Sequence, residues 1–185
     1  MKSSFIAAAI LLALSSCQKD DISPDELPPA TSTGAETLGF VIDGSGWKPA
    51  GQKCGIYGCT DNKVEASSYV ANGRRQLLLT ADRTDGSRNE SFILQLDSLP
   101  GPGVYRSNSG GPGATGGEAG TKIYFANSKQ SLQYQSRPGT ATITITKVDT
   151  VQNIVSGTFE GQLSRLGGSG TVQVASGRFD VLYNR

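Results

Sequence analysis

The sequence contains no histidine, so the usual general base at neutral pH and the commonest metal ligand are both missing. A Ser-His-Asp or Cys-His catalytic site therefore has no place within this chain. Carboxylates are left to do acid–base work. The candidates are Asp43, Glu65, Asp82, Asp85, Glu90, Asp97, Glu118, Asp149, Glu160 and Asp180. Cleavage of a glycosidic bond needs two of them about 5 to 10 Å apart, one with a raised pKa. No spacing singles out a pair. Most fall in expected turns or on expected wet faces, where an acid is simply solvated. The sequence names no catalytic residue. A glycan hydrolase using two carboxylates stands as the alternative to a non-enzymatic reading.

The cysteines offer a second chemistry. Cys54 and Cys59 enclose Gly-Ile-Tyr-Gly. The two glycines ease a tight turn, and export would expose the thiols to an oxidising compartment. The expected product is a loop closed by a Cys54–Cys59 disulfide. So small a ring contributes about 2 kcal/mol in the chain-entropy picture. A structural metal site would need two further soft ligands, which the chain does not supply. A redox pair is expected at Cys-x-x-Cys, not at this spacing. No metal and no cofactor is expected.

Three weaker motifs remain. Asp82-Arg-Thr-Asp-Gly-Ser87 has the oxygens and the glycine of a calcium loop. It lacks the further acids and the twelfth-position Glu of an EF-hand, and it reads as a turn. Gly110 to Gly117 has no Lys-Ser/Thr and no following helix to make it a phosphate loop. Trp47, Tyr57, Tyr69, Tyr105 and Tyr134 offer large, rigid contact area. Trp47, Tyr57 and Tyr105 are the candidate ligand contacts, with core packing as the competing reading.

The first residues carry a targeting chemistry. Lys2 precedes the apolar run Phe5 to Leu14, which is too short for the roughly 20 residues a spanning helix needs. Small residues follow, so residues 1–16 read as a signal peptide. Leu14-Ser15-Ser16-Cys17 resembles the bacterial lipobox, which implies that Cys17 carries the lipid and ties the protein to a membrane. Gln18-Lys19-Asp20-Asp21 resembles the export signal of Bacteroidota surface lipoproteins, which implies the outer membrane and display on the cell surface. Residues 17–37 hold one Lys against five acids and several prolines, and they read as a disordered tether. The rest, 38–185, has 15 basic and 11 acidic residues. That mild surplus forms no dense basic face, so no nucleic-acid partner is expected.

From Leu38 onward the chain alternates short β-rich runs with Gly, Asn, Asp and Pro clusters. Asn72-Gly73 is a strong hairpin signal. Ala141 to Val148 alternates Thr with aliphatics, which predicts a wet Thr face and a buried Ile face. About ten strands with no helical period predict an all-β domain, an antiparallel sandwich or partly open barrel. The expected core is Phe40, Ile42, Leu77, Leu79, Phe92, Leu94, Leu96, Ile123, Phe125, Ile143, Ile145, Val155, Phe159, Val172, Val174, Phe179 and Leu182.

Thr37 to Pro49 and the closing runs Val155 to Glu160 and Val174 to Val181 resemble a family of Bacteroidota lipoproteins with a domain of unknown function. The resemblance covers both ends of the domain and not the Cys loop or the Gly-rich middle. It implies a β-sandwich and a cell-envelope location, and no activity. The expected function is a non-enzymatic surface module that binds a glycan or a protein, or a structural envelope component. The expected contacts are loops 50–62, 83–89 and 106–120, because a rigid scaffold concentrates binding residues on its loops.

Overall fold

The computed structural model describes residues 23–71, 73–86, 88–108 and 120–184. The expected signal peptide, Cys17, Glu118 and most of the 106–120 loop lie outside the described residues. Strands make up the fold, with one short 3-10 turn at Pro24–Glu26. They are β1 (Thr37–Ile42), β2 (Ser45–Trp47), β3 (Ala50–Gly55), β4 (Gly58–Asp61), β5 (Val64–Ala71) and β6 (Arg74–Thr84). There follow β7 (Glu90–Leu96), β8 (Gly103–Arg106), β9 (Lys122–Asn127), β10 (Leu132–Asp149), β11 (Ile154–Arg165) and β12 (Thr171–Leu182).

Neighbouring strands run β2-β1-β12-β11-β10-β9-β7-β6-β3-β4, with β5 on β6 and β8 on β10. The all-β expectation holds, with two more strands than the sequence pattern gave. Pairing is antiparallel except between β3 and β6, where Ala50 meets Arg83 and Gly51 meets Thr84 in parallel. The sheet curls so far that Ser67 of β5 bridges Asn184, just past β12. Ser68 N donates to Asn184 O (2.7 Å) and Asn184 N to Ala66 O (3.0 Å). The sheet does not close into a barrel.

Alternation decides the inside. Leu77, Leu79 and Ala81 of β6 are buried between half-exposed neighbours. Ala141, Ile143 and Ile145 of β10 are buried while Thr142 and Thr144 stay partly open. Phe40 centres an aromatic cluster, with ring centroids 4.8 Å from Trp47, 4.8 Å from Phe92 and 5.7 Å from Phe159. Gly177 admits the Phe159 ring, because a Cβ there would lie 2.5 Å from its carbons. Leu182, expected in the core, is 47% exposed, and Tyr183 is buried instead. Period two places Phe179, Val181 and Tyr183 on one face and turns Asp180 and Leu182 to the other.

The tether expectation is corrected over its described part. Residues 27–36 form a strap against the body. Leu27 is buried. Asp180 points outward from β12, and the strap covers it. Its carboxylate accepts from Thr31 Oγ1 (2.6 Å), Thr33 N (2.8 Å), Gly34 N (2.8 Å), Ala35 N (3.2 Å) and Ser156 Oγ (2.7 Å). Burial pushes this carboxyl up. The hydroxyls of Thr31 and Ser156 and the amides of Thr33 and Gly34 outweigh burial and hold it well below the usual carboxylate range. Glu36 Oε1 also accepts from Leu182 N (2.6 Å). A segment too polar to order itself is ordered by one buried anion 149 residues away.

Candidate functional site

Residues 50–62, expected as a loop, form a projecting hairpin. At its root β3 runs parallel to the end of β6. Gly51 sits at φ +77°, and a Cβ there would lie 1.6 Å from Thr84 O, so only glycine fits. Asn62 clasps the base. Its backbone N donates to Gly51 O (2.9 Å) and its Nδ2 to Ala50 O (2.8 Å). Beyond the root the two strands pair only with each other: Gln52 with Asp61, Lys53 with Thr60, Cys54 with Cys59 and Gly55 with Gly58. Every residue from 51 to 61 is exposed.

The hairpin is held near its end by the expected disulfide, with Cys54 and Cys59 Cα atoms 4.0 Å apart. Ile56 and Tyr57 form the tip, 91% and 98% exposed. An exposed Ile and Tyr side by side thus form a small, largely apolar apex on a disulfide-closed turn.

A cleft of about 360 Å³ lies between this arm and the outer face of β5, β6 and β7. Lys53 and Thr60 wall it on the arm side, with Lys63, Glu65, Asp82 and Ser91 on the sheet side. Alternation puts Glu65, Thr80 and Asp82 on the outer face, because Val64, Leu79 and Ala81 take the inner one. Ser91 Oγ donates to Asp82 Oδ1 (2.6 Å). Asp61, passed over in the sequence, also lines the cleft and accepts from Gln52 Nε2 (2.7 Å). The signal that would have found it is its place directly opposite Gln52 once the cysteines are taken to pair across a hairpin.

Two of the ten candidate carboxylates, Glu65 and Asp82, therefore share one cleft. Among the described residues the other candidates are dispersed. Asp43 accepts from Gln173 N (2.7 Å) in a turn, and Asp85 pairs with Arg83 (2.7 Å). Asp97 accepts from Thr121 Oγ1 (2.8 Å), and Asp149 caps a turn through the amides of Val151 and Gln152. Asp180 anchors the strap. Glu160 lines a second groove of about 360 Å³ across the outer face of β10, β11 and β12, with Arg178 and Ala30. Asp82 and Asp85, the paired acids of the calcium-like motif, engage different partners. Among the described residues no three His, Cys, Asp or Glu side chains are placed to hold a metal ion.

The aromatic candidates separate too. Trp47 is a correction: it is fully buried, and its Nε1 donates to Glu90 Oε2 (2.9 Å), so it presents nothing to a ligand. Its place opposite Phe40 points it into the core. Tyr105 is half-buried against the core, and its hydroxyl donates to Gly101 O (2.5 Å). Tyr134 also packs on the core. Tyr69 is 43% exposed on β5. Only Tyr57 of the three candidates stands free, and no aromatic strip forms among the described residues. Of the expected contact loops, 50–62 and 83–89 meet at the Gly51–Thr84 pairing. The flanks of 106–120 lie at the opposite end of β7, where Thr121 reaches Asp97.

Compared with known proteins, the chain matches no protein-family model, no curated protein and no solved structure.

Proposed function

We infer that this is a cell-envelope lipoprotein, acylated at Cys17, whose β domain acts as a non-enzymatic binding module. The observation that carries the reading is the disulfide-closed arm standing over a cleft of mixed polar walls. Ammonium groups from Lys53 and Lys63, carboxylates from Glu65 and Asp82, and hydroxyls from Thr60 and Ser91 offer donors and acceptors in one place. That mixture suits a hydroxyl-rich glycan. The disulfide and the Asn62 clasp fix one wall before binding, which lowers the ordering cost. Outer-membrane placement and surface display rest on the lipobox and the residues behind it.

Glu65 and Asp82 in a shared cleft favour a second reading, a glycan hydrolase. A catalytic acid needs surroundings that strip its water. Glu65 and Asp61 are exposed, and Asp82 already accepts a hydroxyl. Binding is therefore the preferred reading.

The test is a glycan array and a polysaccharide-release assay on the chain bearing Cys17→Ser, which keeps the strap. Binding that disappears in Asp82→Asn and Lys63→Ala, with unchanged circular dichroism, supports the module. Sugar release abolished by Glu65→Gln establishes the hydrolase instead. If the chain shows no binding and no release, the cleft is not the functional site.

A further inference from the structure

The arm's tip has a chemistry distinct from the cleft. Residues 54–60 read Cys-Gly-Ile-Tyr-Gly-Cys-Thr and carry no charge. The nearest ionised group on β3 is Lys53. Ile56 and Tyr57 are almost fully exposed. Tyrosine beside an aliphatic residue is the composition that settles at a membrane–water interface, where the ring meets the acyl boundary and the hydroxyl stays wet. A backbone turn is tolerated there because water still reaches its amides, which the hydrocarbon interior would not allow. Lys53 and Asp61 flank this stretch with opposite charges, so the apex brings no net charge to the interface.

The topology puts the root of the arm near the chain's path to its anchor. The turn Pro24–Glu26 packs on β2, and β2 runs into the arm after Lys48 and Pro49. Six peptide steps separate Cys17 from Ser23, so at about 3.5 Å each the described chain starts within roughly 20 Å of the lipidated residue. A bilayer holding Cys17 therefore lies within reach of the arm's root.

We propose that Ile56 and Tyr57 at the disulfide-closed tip dock on the membrane interface as a second contact beside the lipid on Cys17. This rests on the lipoprotein reading. The lipid supplies retention. The tip fixes the orientation of the body, because two separated contacts remove the rotation that one flexible attachment leaves. The Cys54–Cys59 bond keeps the apex from folding back on itself.

The experiment uses the mature lipidated chain in phosphatidylethanolamine vesicles with a minority of phosphatidylglycerol, their acyl chains brominated as quenchers. Trp47 is fully buried and gives an unquenched background. Tyr57→Trp adds a reporter at the tip. Val151→Trp adds one in the exposed turn between β10 and β11, at the far end of that strand pair from Arg165. Docking predicts loss and blue shift of the added emission for Tyr57→Trp alone, with protection from aqueous acrylamide. A lipidated, vesicle-bound protein whose tip reporter stays open to acrylamide and untouched by bromine overturns the docking and leaves the lipoprotein reading standing. That result would return the tip to a protein or glycan partner. Mass spectrometry that finds no acylated Cys17, with the chain lost from the vesicles, overturns both.

Discussion

Trp47 and Glu90, 43 residues apart, meet through a 2.9 Å hydrogen bond from indole Nε1 to carboxylate Oε2, with the indole wholly buried. The other carboxylate oxygen accepts from Asn127 Nδ2 (3.2 Å). This pair sits against the Phe40 cluster and joins the first hairpin to β7 and β9.

Trp47→Phe should therefore weaken the fold with no ligand present. Removing the donor from a nearly buried carboxylate costs about 1 to 3 kcal/mol. Trp47→Ala adds a cavity and should cost about 3 to 5 kcal/mol. Urea midpoints check both. A Trp47→Ala protein as stable as the parent contradicts the packing described above.

Asp180 sets an acid limit. Its folded-state pKa lies below the usual value near 3.9, so its contribution is present above that value and is lost as pH falls toward the folded one. Stability should begin to drop at about pH 5 and keep falling well below pH 3, and Asp180→Asn should flatten that drop. At neutral pH Asp180→Ala should cost about 3 kcal/mol, because charge-assisted bonds are lost and buried donors are left unmet. Limited proteolysis should then cut within residues 27–36. Resistance of the strap in that variant would count against the latch.

Cys54→Ser with Cys59→Ser should act locally. The closed ring is small, so the loss is about 2 kcal/mol at most, confined to a hairpin that packs nothing into the core. Amide exchange should rise over residues 52–61 while the melting of the body stays put. A cooperative loss of the whole fold would show that the arm is part of the core.

Gly51→Ala tests the root. Its Cβ would collide with Thr84 O, so β3 must leave β6. The expected result is loss of amide protection at the β3–β6 contact, with β5 to β7 kept intact. An unchanged exchange pattern there would refute the parallel pairing.

Local chemistry was legible in the sequence. Alternation along Ala141 to Val148 set the wet and buried faces of β10, and turn residues set the hairpins. Spacing and the absence of other soft ligands pointed Cys54 and Cys59 at each other. These properties depend on residues a few positions apart, which a linear reading contains. The tertiary structure alone turned Trp47 inward, brought Glu65 and Asp82 into one cleft, and laid residues 27–36 over Asp180. Partners 43 and 149 residues apart meet only after strand order and register are fixed. The physical reason is that burial and hydrogen-bond satisfaction are properties of the assembled sheet. A polar segment that cannot order itself reads as disordered until the anion that holds it is in place.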